Sequence, residues 1–286
     1  MRFQWIKDHR GQFPVKAMCR TLGVSRSGFH AWMKTPSRKR RMLRDALAVH
    51  VRAVFEKSRG RYGSPRIARV LRAQGVSVGR KAVARCMKEL GIKAQTRAAF
   101  VPRTTQSDPR LAASPNLLAR DFCAEKPNQK WCCDITYINT GEGWLYAAII
   151  KDLFSKKIVG WATADHMRDE LTIAALRMAI THRGDVKGVI HHSDRGKQYA
   201  SAAYRALLNE QRIMQSMSEA GDCYDNAPAE SFFGSLKVEL VNAMSFATRE
   251  QAALAVFEYI EVFYNRERLH SALGYVSPVA YEATRG

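Results

Sequence analysis

Trp131-Cys132-Cys133-Asp134-Ile135-Thr136-Tyr137-Ile138 carries the β-branched and aromatic content of a strand, with one acid inside it. A charged carboxylate in an apolar strand is expensive unless it is paired or bound to a metal. Working outward, Gly141-Glu142-Gly143 reads as a turn, residues 144–150 as a second strand and residues 158–162 as a third. The three together predict an antiparallel meander. Residues 169–183 read as a helix with Leu171, Ala174, Ala175, Met178 and Ala179 inward. Residues 186–192 read as a fourth strand, ending at the polar tip Ser193-Asp194-Arg195-Gly196, where α/β sheets place ligands. Helices are predicted over 202–211 and 226–240. This part of the chain therefore reads as an α/β domain.

Three carboxylates stand out. Asp194 follows Asp134 by 60 residues, and Glu230 follows Asp194 by 36. Phe232, Leu236 and Leu240 make the buried stripe of the last helix, which leaves Glu230 and Lys237, seven apart, on another face. A carboxylate and a lysine so aligned can hold a cation and a phosphate side by side. Hard oxygen ligands from three elements, without a Cys/His cluster, favour Mg²⁺ or Mn²⁺ over zinc. Two such ions about 4 Å apart suit phosphodiester displacement, activating one oxygen and stabilising the departing one. Cys132 and Cys133 read as buried thiols, His191 and His192 as strand-end packing groups, and Asp152 as a salt-bridge candidate.

The rest of the 286-residue chain is different in charge. Residues 1–110 hold 27 Lys and Arg against 5 Asp and Glu, a net of +22, whereas residues 111–286 hold 19 against 21. Such a field attracts a polyanion, and nucleic acid is the commonest large one. Apolar residues at helical spacing interrupt the charge, so the segment reads as folded. Pro14 to Lys34 is predicted as two short helices, with Leu22-Gly23-Val24 as the turn and Ser25 as the cap of the second. Arg26, Ser27 and His30 fall at the start of that second helix, the part that meets base edges in helix-turn-helix proteins. Residues 35–41 read as a linker ending in a basic run, followed by a helix over 44–56. A second helix pair is marked by Ser64-Pro65, Gly75, Ser77 and Gly91; Arg66 lies on its first member, Arg80, Lys81 and Arg85 on its second. Four prolines between 97 and 130 mark an interdomain linker. The predicted order is a helix-turn-helix over 1–36, a second helical DNA-binding domain over 41–96, a linker over 97–127 and the α/β domain over 128–286.

At 46% apolar and 25% charged residues the composition is that of a globular protein, which excludes disorder and collagen-like chains. No apolar run approaches the ~20 residues of a membrane span, and Met1 to Asp8 lack a signal peptide's apolar region. The cysteines at 19, 86, 123, 132, 133 and 223 form no C-x-x-C pair, which favours a reducing cytoplasm over a disulfide scaffold.

Several stretches resemble bacterial insertion-sequence transposases of the retroviral-integrase superfamily, in particular the downstream-frame subunit of two-frame elements. They are Asp134-Ile135-Thr136-Tyr137-Ile138, His192-Ser193-Asp194-Arg195-Gly196 with Gln198-Tyr199, and Asp225-Asn226-Ala227 with Glu230-Ser231-Phe232-Phe233 and Leu236-Lys237. Tyr264-Asn265, Arg268, His270, Leu273-Gly274 and Pro278 resemble that group's C-terminal signature, and Tyr62-Gly63-Ser64-Pro65-Arg66-Ile67 its N-terminal helical domain. The resemblance implies a ribonuclease H-like catalytic core with a C-terminal helical extension, and a metal triad of Asp134, Asp194 and Glu230 holding two ions. It implies nicking at the element's ends, then attack by the freed 3′-hydroxyl on another phosphodiester, commonly joining the two ends of one element into a circle. Lys237 matches a family position that contacts DNA near the reacting end; Asn226 and Tyr199 match positions of structural or DNA-proximal role. The implied partners are double-stranded DNA (terminal repeats and target), further copies of the chain, and an upstream-frame protein or fusion; no membrane partner is implied. No His/Cys zinc module of the retroviral kind is present in the sequence. Two rivals are a DNA-binding regulator or partner-dependent subunit without catalysis of its own, and a nuclease of RNA–DNA hybrids.

Overall fold

A computed structural model describes residues 1–34, 37–95, 114–219 and 223–286. Two compact units divide the chain, Met1–Ala94 and Gln95–Gly286.

The first unit is helical. α1 (Arg2–His9), α2 (Val15–Thr21) and α3 (Arg26–Lys34) enclose Ile6, Met18, Cys19 and Phe29. Gly23, at φ +61°, makes the turn before α3, and Ser25 Oγ accepts from Gly28 N at 3.0 Å, as its capping role requires. Pro14 sits one residue ahead of α2 instead of in its first turn. α1 is an addition to the sequence reading. α4 (Ser37–Lys57) corrects it: the basic run expected to be a linker continues as helix, Thr35 and Pro36 lying outside the described residues. α5 (Ser64–Ala73) is capped by Gly63, not by Ser64, with Pro65 in its first turn. α6 (Arg80–Glu89) starts after Gly79 and ends at Gly91, at φ +66°. Val51, Ile67, Leu71 and Val83 are wholly buried between these three helices, and each contributes about 1.5–3 kcal/mol by leaving water.

The second unit is a mixed sheet clad with helices. β1 (Lys130–Thr140), β2 (Gly143–Asp152) and β3 (Ile158–Ala164) form the expected antiparallel meander. β4 (Ile190–Ser193) and β5 (Met214–Met217) run parallel to β1, giving the order β3-β2-β1-β4-β5. β4 is shorter than the run 186–192 suggested, and β5 was not anticipated. β4 pairs only with Lys130 to Cys132, so β1 runs on beyond it and leaves a crevice where the two strands part. α7 (Asp169–Arg183), at the expected bounds, and α8 (Ala202–Glu210) cover the face that carries Trp131, Cys133, Ala148 and Ile150. Gly160 lets α7 approach β3: a Cβ there would lie 2.2 Å from Ala175 O.

α9 (Ala227–Glu239) and α10 (Arg249–Phe257) pack on β1 and β2, a turn of π-helix (Glu258–Tyr264) follows, and α11 (Pro278–Arg285) closes the chain. Lys151 pairs with Cys132, on the opposite face from Cys133, and there its Nζ donates to Pro228 O at 2.8 Å, fixing the start of α9. The end of α9 is fixed by a buried ion pair. Arg268 donates from Nη2 to Glu239 Oε1 at 2.7 Å and from Nε to Oε2 at 2.8 Å, and Tyr259 OH donates to Oε2 at 2.9 Å. Asn265 bonds both backbone groups of Ile158 at 2.9 Å. Asp152 is buried and faces Arg183 at 3.4 Å, as the salt-bridge reading expected. Within the segment expected to be linker, residues 97–113 lie outside the described residues, whereas 114–127 are tied to the sheet. Leu117 N donates to Ser216 Oγ at 2.9 Å, Asn116 Nδ2 to Asp225 Oδ2 at 3.0 Å, and Leu118 is buried.

Removing one partner of a buried ion pair strands the other charge, at a cost of about 3–5 kcal/mol. Arg268→Ala is therefore expected to lower stability by about that amount in urea melts, and Glu239→Gln by less. Equal stability of Arg268→Ala and wild type would show that the pair does not hold α9.

Candidate active site

Two of the singled-out acids share a crevice beside β1, and the third stands close enough for its charge to reach Asp134. Asp134 stands on β1 just past its last pairing with β4, Asp194 directly after β4, and Glu230 in the first turn of α9. Asp134 and Asp194 line one cleft of about 820 Å³. Burial pushes the Asp134 carboxyl well above the ordinary carboxylate range, the Asp194 charge pushes it further, and Glu230 adds to the push. A hydrogen bond from Ile135 N at 2.8 Å and the Lys237 ammonium act the other way. Asp194 Oδ1 accepts from Gly196 N at 2.9 Å, which turns the tip after β4 inward. Lys237 lies two turns along α9 from Glu230 with its Nζ 5.2 Å from the centre of the Tyr137 ring. The charges of Glu230 and Lys237 both bear on Asp134, in opposite directions. Among the described residues no three His, Cys, Asp or Glu side chains lie close enough to form a metal cage.

The neighbouring groups are structural. Burial pushes the Cys132 thiol up to about 12 and the Cys133 thiol well above its usual value, so neither is a nucleophile near neutrality. His191 is held down to about 3 by burial and the neighbouring His192, and meets Tyr204 OH at 2.6 Å. His192 is held down to about 4, chiefly by burial, and meets Ser216 Oγ at 2.8 Å. Both rings are neutral props of β4. Asn226 Nδ2 donates to Cys133 O at 3.0 Å and binds the start of α9 to β1. The sequence reading missed the aromatic side of the cleft, where Tyr137 and Trp144 meet edge to face at 5.0 Å. The pairing register of the hairpin, with Asn139 opposite Trp144, carries that signal only once the turn is known.

In the first unit, Arg26, Ser27 and His30 are exposed on α3, and Arg80, Lys81 and Arg85 on α6. Arg66, on α5, is half-buried with its guanidinium 5.5 Å from the centre of the Tyr62 ring.

Residues 42–100 match the HTH-like domain family, and residues 124–223 and 230–285 match integrase core domain families. The transposase InsF of insertion sequence IS3A from Escherichia coli K12 is 44% identical over 284 residues, covering 99% of this chain and 98% of that one. A 31 kDa protein of insertion element IS600 from Shigella sonnei is 42% identical, covering 92% and 97%. Among solved structures, the HTLV-2 integrase catalytic core in complex with magnesium aligns at a TM-score of 0.44 and 15% identity, covering 56% of this chain and 99% of that one. Near-complete coverage at this identity, with an HTH-like region ahead of an integrase core, makes the chain a member of the IS3-type insertion-sequence transposases.

Proposed function

We propose that this transposase cleaves DNA strands at the ends of its insertion sequence and transfers them, using Asp134, Asp194 and Glu230 as the ligands of two Mg²⁺ or Mn²⁺ ions. The observation that carries this reading is the placement of Asp134 and Asp194 in one cleft, with Glu230 near enough for its charge to bear on Asp134. Three crowded carboxylates with hard oxygens and no thiolate or imidazole among them fit a divalent cation of the magnesium kind. When bound, such ions supply Lewis acidity to the phosphodiester and charge neutralisation to the acids. The chain's own residues do the rest. Lys237, beside Asp134, pairs with a phosphate next to the scissile one. Asp194 is oriented by Gly196 N, and Glu230 by the clamps at both ends of α9. In the first step water displaces the 3′ oxygen from phosphorus, and a 3′-hydroxyl is freed. In the second that hydroxyl attacks another phosphodiester, one P–O bond forming as one breaks. The DNA contacts are assigned to Arg26, Ser27 and His30 on α3, to Arg66 on α5 and to Arg80, Lys81 and Arg85 on α6, with the chain acting as a homo-oligomer on the two ends.

A second reading is a subunit whose catalysis depends on an upstream-frame partner. It is supported by one observation: among the described residues the acids approach but do not close a cage. DNA and partner are then what draws them together. Nicking by a fusion with the upstream-frame protein, but not by this chain alone, would select it.

The experiment is nicking of labelled terminal DNA with Mg²⁺. Asp194→Ala and Glu230→Gln are expected to lose at least about 100-fold in rate while still binding the DNA; undiminished nicking by either ends the triad assignment. Charge removal at Arg80, Lys81 or Lys237 is expected to flatten the salt dependence of binding by about one unit of slope each. An unchanged slope in all three would remove them from the interface.

A pH effect follows from Asp134. Its carboxyl is raised in the fold, so its contribution to stability is present below the ordinary carboxylate value and is lost as pH rises through the raised one. Metal-free Asp134→Asn is therefore expected to gain Tm over wild type as pH rises from about 4 to 8, by about 2–4 °C for each kcal/mol relieved. Mg²⁺ should close that gap by stabilising wild type. A wild-type-minus-variant difference in Tm that stays flat with pH would contradict the electrostatic account.

A further inference from the structure

The cleft beside Asp134 and Asp194 has a second side that none of the acid chemistry uses. Tyr137 and Trp144 each leave 47% of their surface in water, and Met167 leaves 44%, although the neighbouring sheet face is a closed core. All three line the same cleft as the two acids. They are not loosely placed. Tyr137 and Trp144 stand on paired strands, two residues out of register and so on one face, and their rings meet at 5.0 Å and 79°. Trp144 O accepts from Arg249 Nε at 3.0 Å, and Met167 O accepts from Gln198 Nε2 at 2.9 Å, which holds the far wall. The Lys237 ammonium lies over the Tyr137 ring, 5.2 Å from its centre, which leaves the Trp144 ring as the main open face.

Large aromatics kept exposed and rigid beside a reactive centre cost burial that the core would otherwise gain. A flat π-surface next to a cation suits one chemistry in DNA: an unstacked base, with its own phosphate against the ammonium. Stacking in a duplex hides the base faces, so such a surface serves a nucleotide that is unpaired, as at a frayed helix end. The cleft carries two acids that would repel an acidic peptide.

We propose that Tyr137 and Trp144, with Met167 opposite, form a nucleobase seat that takes one unpaired base of the element's terminal DNA and so positions the adjoining phosphate at Asp134 and Asp194. The inference rests on the proposed function, since it needs terminal DNA in this cleft. The roles are separate: the acids act on the phosphodiester, whereas the seat positions it and selects for a frayed end.

The test uses the full chain and duplexes of the insertion sequence's terminus, with 2-aminopurine or an abasic site placed in turn at each terminal nucleotide. Affinity is read by anisotropy. At one position the 2-aminopurine signal is expected to change on binding to wild type and not on binding to Trp144→Ala. An abasic site at that position should weaken wild type by about 5- to 100-fold and Trp144→Ala hardly further, because the base and its platform are removed by the same loss. Trp144→Phe, which keeps the ring, should keep most of the base dependence and shows that the fold tolerates change there. Tyr137→Ala should behave as Trp144→Ala does, with a weaker effect on the signal. If abasic penalties are equal in wild type and Trp144→Ala at every position, the seat is overturned while the proposed function stands. If wild type binds no terminal DNA, the proposed function fails and takes the seat with it.

Discussion

A carboxylate that both burial and its neighbours oppose is the constraint around which the α/β unit is organised. Asp134 occupies a strand whose adjacent residues are core, and Asp194 and Glu230 add their charge to its burden. In a packed interior that burden is relieved by a proton or by a cation. A fold that only needed stability would place an apolar residue there.

Much of the remaining structure keeps the three acids from moving apart. β4 leaves β1 after three paired residues, and this opens the crevice that Asp134 and Asp194 share. Glu230 belongs to a helix, and a helix can slide. Lys151 holds its first turn through Pro228 O, Asn226 ties its approach to Cys133 O, and Arg268 holds its last turn through Glu239. The C-terminal signature residues thus earn their place as clamps: Asn265 on β3, Arg268 on α9. Neither reaches the cleft, yet both decide where Glu230 stands.

The division of charge has a matching logic. Most of the described Lys and Arg of the first unit stand at exposed positions around small apolar cores, Arg61 and Arg66 being the inward exceptions, so the charge costs the fold little and is presented to solvent. The α/β unit is near neutral, with charges of both signs, some of them held in internal pairs and some at the cleft. On the proposed function this separates holding the polymer from acting on one of its bonds.

Local chemistry was legible in the sequence wherever a pattern had one solution. The β-branched and aromatic run of β1, the Gly-rich hairpin turn, the bounds of α7 and the Ser25 cap were all readable because propensity, period and capping are properties of neighbours in the chain. The spacing of Asp134, Asp194 and Glu230 was readable too, though as three positions and not as a crevice. α1 was hidden because Arg2, Gln4, Lys7 and Asp8 surround its one buried residue, Ile6. β5, Met-Gln-Ser-Met, has no β-branched residue and becomes a strand only by pairing with β4. The Glu239–Arg268 pair spans 29 residues, and the Tyr137–Trp144 platform depends on hairpin register. Only tertiary structure decided these, because a buried ion pair or a shared cleft is a relation between distant side chains whose energy exists once solvent has been excluded from between them.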